Sequence, residues 1–188
     1  FAKKYLMTIE ERIIKGATEL FLKQGVRGVT MDNIAHHLGI SKRTIYENFK
    51  DKDELLKQCI ICHKSAKIEQ KRIIVAESSN ALEIIYKIMF DLIITLKNTH
   101  PTFYSDIRKY YPSLWEEMVE RKSKHSKTHT HELCLLLSKG VEDGLFRQDF
   151  SIEITALILQ VQFEAMTDEQ LFPPEKYSVS EVFNNIMI

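Results

Sequence analysis

Signals that start α-helices recur along this chain and constrain its fold more than any other feature. In a capping box, a short polar side chain and a Glu three residues later bond each other's free backbone N–H groups at the start of a helix. Five segments fit this pattern, and they predict helices that begin near residues 9, 52, 81, 114 and 179: Thr8 with Glu11, Asp51 with Glu54, Asn80 with Glu83, Ser113 with Glu116, and Ser178 with Glu181.

The spacing of apolar residues supports the same fold class. Two stripes have the period of a helix, and they consist of Ile9, Ile13, Ala17, Leu20 and Phe21, and of Leu82, Ile85, Met89, Leu92 and Leu96. No segment alternates between apolar and polar residues as a strand does. Glycines and prolines divide the chain into about nine helices, so we expect an all-α fold.

The charge is balanced overall but differs between the two ends of the chain. The 188 residues carry a formal net charge of zero, which argues against a general polyanion binder. From Phe1 to Lys57 there are 11 Lys and Arg against 8 Asp and Glu, so the rest of the chain carries the opposite excess. This modest asymmetry favours contact with DNA at the N-terminal end.

Two further features of the composition indicate where the chain works. No apolar run approaches the length of a membrane span, and the first residues lack the apolar core of a signal peptide. Three cysteines are too few for a disulfide scaffold, so we expect reduced thiols. We therefore expect a cytoplasmic protein that makes no contact with a membrane.

Residues 30 to 50 predict two short amphipathic helices around a tight turn. Thr30 and Ser41 are suited to cap the two helices, and Gly39 suits the reversal between them. Ile45 and Phe49 lie one turn apart and face inward. The polar residues that then face outward suit phosphates and base edges; they are Lys42, Arg43, Thr44, Tyr46 and Asn48. The motif alone is equally compatible with an ordinary helical hairpin.

The surrounding residues resemble the TetR family of transcriptional regulators. The resemblance runs from Ala17 to Leu56 and rests on Ala17, Leu20, Phe21, Gly25, Val29, Thr30, Ile34, Ala35, Leu38, Gly39, Ile40, Ser41, Ile45, Tyr46, Phe49, Lys52 and Leu55. It implies a DNA-binding domain over residues 1–51 and a ligand-binding and dimerisation domain over 52–188. The implied function is a homodimeric repressor that binds a near-palindromic DNA operator and is released by a small-molecule inducer.

The resemblance also implies roles for individual residues of the motif. Thr30, Ser41, Tyr46 and Lys52 match positions that contact phosphates. Lys42, Arg43, Thr44 and Asn48 project from the recognition helix, where Arg43 suits guanine and Asn48 suits adenine or a phosphate. Glu47 departs from the family's usual aromatic residue, and we expect it to pair with Arg43 one turn earlier.

Aromatic residues cluster between His100 and Met118, within the larger domain where the resemblance implies that an inducer binds. We predict a mostly apolar site that would suit a partly hydrophobic inducer. Its residues are Phe90, Ile94, Phe103, Tyr104, Ile107, Tyr111, Trp115 and Met118. Ordinary core packing around a short helix between Pro101 and Pro112 is the alternative.

A late segment predicts the surface through which two copies associate. Residues 152–163 are too apolar for a helix with one exposed face, so a second surface must cover them. By resemblance, the helices at about 151–166 and 178–188 form the homodimer interface. A central helix buried within a monomer is the alternative.

No pattern of catalytic chemistry stands out. The sequence lacks a nucleophile elbow, a phosphate loop and a nucleotide fingerprint, and we expect no enzyme, cofactor or metal. Cys59, Cys62 and His63 match a haem-attachment pattern, but they fall inside a predicted helix. The competing function is a helical dimeric module that binds a ligand or a partner without binding DNA.

Overall fold

The computed structural model confirms an all-α fold. It describes residues 7–166, 168, 171–173, 176–177, 181–182 and 185, with the side chains of 125–127 and 166 left out. Eight helices lie within these residues: α1 (Ile9–Gln24), α2 (Met31–Leu38), α3 (Lys42–Tyr46), α4 (Lys52–Glu77), α5 (Ala81–Lys97), α6 (Phe103–Tyr110), α7 (Pro112–Glu142) and α8 (Ile152–Met166). None of the eight combines the length and hydropathy needed to cross a membrane.

The capping signals located most helix starts correctly. The predictions for α1, α4 and α5 are confirmed to the residue, and the capping box of Thr8 and Glu11 is complete. The prediction near 114 was late by two residues, because α7 already begins at Pro112. Proline suits the first position of a helix, where no backbone N–H is needed. The start predicted near 179 falls in 178–188, most of which lies outside the described residues.

The chain forms two compact units, each continuous in space but not in sequence. The N-terminal unit comprises the described residues of Phe1–Glu69 together with Thr99–Trp115, so α6 belongs to the same unit as α1, α2 and α3. The C-terminal unit comprises Gln70–Asn98 and the described residues of Glu116–Ile188.

The core of the N-terminal unit holds α1, α2 and α3 together. Its fully buried side chains come from the three helices, from the α1–α2 loop, and from α4 and α6: Ile13, Phe21, Val26, Val29, Ile34, Ile45, Leu55, Leu56 and Ile107. Burial of each large side chain contributes roughly 1.5–3 kcal/mol. Helix α2 approaches α1 closely at Gly16, where an added Cβ would lie 2.5 Å from Leu38 Cδ2. The motif is therefore built on a rigid base.

Both apolar and polar contacts hold the helices of the C-terminal unit together. The predicted stripe on α5 was only partly right. Of its members, Met89 is buried but Leu82 is exposed, whereas Ile84 and Ile93, which lie outside the stripe, are buried. Helix α5 is apolar on most sides, so its periodicity does not single out one face. Between helices, Lys71 of α4 pairs with Glu132 of α7, and Thr130 of α7 donates to Gln160 of α8.

Candidate nucleic-acid interface

Helix α2 begins with a complete capping box that the sequence only partly revealed. Thr30 Oγ1 accepts a hydrogen bond from the Asn33 N–H at 3.1 Å, and Asn33 Oδ1 accepts one from the Thr30 N–H at 2.8 Å. Asn33 thus takes the place that Glu has in the usual pattern. The helix ends at Gly39, whose left-handed backbone (φ 64°, ψ 34°) allows the sharp turn into α3.

Helix α3 is short, and its orientation is fixed by two buried residues. Ser41 Oγ caps its start by accepting from the Thr44 N–H at 3.0 Å. Ile45 and Phe49 are 0% and 2% exposed, so they hold the inner side of this turn against the core. The predicted inward pair is confirmed, and the opposite side of α3 is left free to contact another molecule.

The predicted DNA-contacting residues of the motif lie on its solvent side. Thr30, Ser41, Lys42, Arg43 and Tyr46 are exposed, and Thr44 and Asn48 are half-buried. The Arg43 side chain is 88% exposed, and the Tyr46 residue is 48% exposed. No protein segment described here covers these three exposed side chains of α3, Lys42, Arg43 and Tyr46. The surface has the donors, and the access, that contact with a DNA groove requires.

Both cations of α3 are paired with carboxylates. Arg43 Nε lies 2.9 Å from Glu47 Oε1, which confirms the predicted pairing one turn apart. Lys42 Nζ lies 2.7 Å from Asp32 Oδ2 of α2, and this hydrogen bond raises the pKa of Lys42. The second pair was missed, because no local pattern links residues ten positions apart. Exposed pairs of this kind contribute little to stability, so they can open when a phosphate competes.

Asn48 and Lys52 make contacts that the motif did not predict. Asn48 Nδ2 donates to the Thr44 carbonyl at 2.8 Å. Lys52 Nζ donates to the Val26 carbonyl at 2.7 Å. Lys52 is half-buried, and burial lowers its pKa although Asp106 and Asp53 oppose that shift. Its ammonium group is thus engaged inside the N-terminal unit.

The predicted ligand-site residues are divided between the two units. In the N-terminal unit, α6 buries Phe103 and Ile107, and Phe103 packs edge-on against Tyr104 with ring centroids 5.1 Å apart. Tyr111 and Trp115 are half-buried just beyond α6. These five residues belong to the unit that contains α2 and α3. The ligand site remains a prediction, and five of its residues lie in the same unit as the motif formed by α2 and α3.

The remaining three predicted residues lie in the C-terminal unit. Phe90 and Ile94 are exposed on α5, at 53% and 41%, and Met118 is half-buried on α7. Phe90 stacks with Tyr86 at a centroid distance of 6.3 Å.

The C-terminal unit also has an open groove of about 590 Å³ between α7 and α8, lined by Thr130, His131, Cys134, Ser138, Ile152, Glu153 and Leu157. None of the predicted ligand-site residues lines this groove.

Metal ligands are not grouped in the part of the chain that the structure describes. No three His, Cys, Asp or Glu side chains there are placed to share a metal ion. Cys59 is buried, donates to the Ile14 carbonyl at 3.5 Å, and has its pKa raised by burial to about 12. Cys62 is exposed. The two thiols of the Cys59–Cys62 pattern thus occupy different environments, and Cys59 is a core residue.

The chain is similar in sequence to known bacterial regulators. The family model for bacterial regulatory proteins of the tetR family matches residues 13–59. The biofilm operon icaADBC HTH-type negative transcriptional regulator IcaR of Staphylococcus aureus is 24% identical over 199 residues, which span 93% of this chain and 98% of IcaR.

Solved structures share the fold over nearly the whole chain. A transcriptional regulator of the TetR/AcrR family from Thermobifida fusca superposes with a TM-score of 0.61 at 24% identity, covering 94% of this chain and 93% of its own. The regulator FadR from Bacillus subtilis, in complex with stearoyl-CoA, superposes with a TM-score of 0.56 at 18% identity, covering 94% of each chain. The architecture beyond α3 is thus also shared.

Proposed function

Since the chain belongs to the TetR family of bacterial transcriptional regulators, we propose that it is a repressor that binds a near-palindromic operator as a homodimer. The observation that carries this proposal is the exposed face of α3, held in place by the buried Ile45 and Phe49. IcaR, which the chain resembles along most of its length, is a negative regulator by name. Regulation of transcription is accordingly the proposed role, and catalysis is not part of it.

The proposed DNA contacts divide into two groups. Thr30, Ser41 and Tyr46 present hydroxyls at the edges of the motif and are suited to bind phosphates. Such contacts fix the position on the duplex of the N-terminal unit, which we call the head. Lys42, Arg43, Thr44 and Asn48 come from α3 and its continuation and are suited to contact base edges. When the complex forms, Lys42 leaves Asp32 and Arg43 leaves Glu47, and both cations bind DNA instead.

An exposed apolar face on α8 supports the proposed homodimer. Its residues are spaced at three, four and seven positions and therefore share one side of the helix: Ile154, Leu157, Ile158 and Val161, which are 60%, 47%, 52% and 64% exposed. A contiguous apolar face of this kind marks an interaction site. We propose that it packs against the same face of a second copy, together with the segment 178–188.

We propose that a partly hydrophobic small molecule releases the repressor from DNA. The site proposed for this ligand includes Phe103, Tyr104 and Ile107 of α6, which lie in the unit that carries α3. FadR from Bacillus subtilis has been solved with stearoyl-CoA, which combines a long apolar chain with a polar head. The ligand proposed here is of the same general kind.

Selection of binding sequences from random duplex DNA tests the proposed function. We expect a palindrome whose half-sites are centred about 34 Å apart, one turn of DNA, because two symmetry-related α3 helices must enter successive major grooves. Footprinting should show protection on one side of the duplex. Failure to enrich any sequence, with a ligand still bound, would instead support the helical module without DNA-binding activity.

Replacement of the α2 cap should separate DNA contact from helix stability. Thr30→Ala is expected to cost about 1 kcal/mol of unfolding free energy, because the Asn33 N–H loses its acceptor. It should also weaken operator binding about fivefold, since the hydroxyl contacts a phosphate in the proposed complex. Urea unfolding and titration of a labelled operator measure the two effects.

Thr8→Ala is the matched control for this prediction. Thr8 heads an equally complete capping box on α1 but does not belong to the proposed DNA surface. Its substitution should cost a similar unfolding free energy and leave operator affinity unchanged. Equal loss of affinity in both variants would show that helix stability, rather than a phosphate contact, explains the effect of Thr30.

A further inference from the structure

One peptide group in the α1–α2 loop is held at both of its ends by charged side chains. The Val26 carbonyl accepts from Lys52 Nζ of α4 at 2.7 Å, and the Arg27 N–H donates to Asp106 Oδ2 of α6 at 2.9 Å. The carbonyl and the N–H belong to the same peptide unit. A cation and a carboxylate from two distant parts of the sequence therefore fix the plane of a single peptide in the loop.

Asp106 is placed for this contact by its own surroundings. Only 9% of the residue is exposed, and its Oδ2 also accepts from Thr102 Oγ1 at 3.2 Å. Just before α6, the His100 N–H donates to the Leu22 carbonyl of α1 at 2.6 Å. These bonds dock the start of α6 onto the end of α1, and they leave the carboxylate facing the loop.

The Arg27 side chain adds a second contact between the loop and α6. The Arg27 guanidinium carbon lies 5.3 Å from the centroid of the Tyr110 ring, within the range of a cation–π contact. The Arg27 backbone thus bonds Asp106 while its side chain covers Tyr110. The loop is therefore attached to α6 at Asp106 and again one turn later at Tyr110.

Lys52 could contact a phosphate only by giving up its place in this arrangement. Val26 is fully buried, so its carbonyl would lose the donor that Lys52 supplies. A buried polar group that loses its partner destabilises the fold. The Lys52 ammonium also lies 5.8 Å from the centroid of the Phe21 ring in the core. These contacts favour retention of the ammonium group inside the unit.

We propose that Lys52 and Asp106 are positioning residues that clamp the Val26–Arg27 peptide, and that Lys52 makes no phosphate contact. The proposal presupposes the DNA-binding function proposed above. The clamped loop leads directly into Val29 and the Thr30 cap, so its orientation sets where α2 begins and hence where α3 points. The clamp acts on DNA affinity through the geometry of the motif and not through charge at the DNA surface.

The dependence of operator affinity on salt distinguishes a clamp from a phosphate contact. For Lys52→Met, we expect the operator Kd to rise about tenfold at every salt concentration, with the slope of log Kd against log salt unchanged. A phosphate contact would instead reduce the slope by about 0.9 for each head. Lys52→Arg, which keeps a donor for Val26, should restore most of the affinity.

A double-mutant cycle tests whether the two residues act through the same peptide. Asp106→Ala should also raise Kd about tenfold, and the double variant should be little worse than either single one, because the peptide is already released. Independent roles would give about a hundredfold loss in the double variant. Additive losses, or a reduced slope for Lys52→Met, would overturn the proposal.

Amide hydrogen exchange of Arg27 in the free protein provides a readout that needs no DNA. The Arg27 N–H should be protected in the wild-type chain and lose protection in Asp106→Ala, whereas amides in the middle of α5 keep theirs. Unchanged protection would overturn the clamp. If the wild-type chain binds no DNA, the proposed function fails, and this exchange measurement still decides whether the clamp exists.

Discussion

Val161→Glu is expected to convert the proposed dimer into a monomer and to weaken operator binding more than about a hundredfold. Val161 is the most exposed of the four apolar residues on the α8 face, at 64%. In a two-fold interface the same surface occurs on both copies, so one substitution places two unpaired carboxylates between apolar surfaces. A monomer engages only one half-site and loses the contacts of the second head. Light scattering gives the mass, and titration of the operator gives the affinity.

Val75→Glu is the matched control for the dimer prediction. Val75 is also an exposed valine of the C-terminal unit, at 45%, but it lies on α4. The same change of charge and size should leave the mass and operator affinity close to those of the wild type. A wild-type chain that is already monomeric, or a Val161→Glu variant that remains dimeric, would contradict the proposed interface.

Gly25→Ala is expected to lower the unfolding free energy by about 3 kcal/mol, and the melting temperature by roughly 6–12 °C. Gly25 ends α1 with φ 76° and ψ 159°, a backbone conformation that residues with a Cβ almost never adopt. Space is short as well, because an added Cβ would lie 2.6 Å from Thr102 Oγ1 and 3.1 Å from Asp106 Oδ2. Urea and thermal unfolding measure the loss.

Gly39→Ala separates the effect of backbone strain from that of crowding. Gly39 also has a positive φ, 64°, but no atom lies within 4 Å of the position of an added Cβ. Its substitution should cost only about 1–2 kcal/mol, the usual penalty of the left-handed conformation. Equal losses at the two glycines would show that neither the rarer backbone conformation of Gly25 nor the close approach of Thr102 and Asp106 adds to the cost.

The features that the sequence predicted correctly are those that depend on near neighbours. Capping boxes join residues three positions apart, and this is why the starts of α1, α4 and α5 were located to the residue. The inward placement of Ile45 and Phe49 and the Arg43–Glu47 pair depend on a spacing of four residues, which is one helical turn. In each case the helix itself brings the side chains together.

The features that the sequence did not predict depend on contacts between distant segments. The pairing of Lys42 with Asp32 needs the actual angle between α2 and α3, which no periodicity reports. Asp106 meets Arg27 across 79 positions of the chain. On α5, apolar residues surround the helix, so packing rather than pattern decided that Ile84 is buried and Leu82 exposed. The hydrogen bond from Lys52 to the Val26 carbonyl also joins distant segments, 26 positions apart.

The salt dependence of binding to the selected palindrome tests the central claim, that α3 places Lys42 and Arg43 of both heads in the grooves of DNA. Four cations in the dimer, each releasing at most about 0.9 counterions, should give a log–log slope of association between about −2 and −3.6. A shuffled sequence of the same length should bind at least about a hundredfold more weakly. A slope near zero, or equal affinity for both sequences, would contradict the assignment of α3 as the DNA-reading helix.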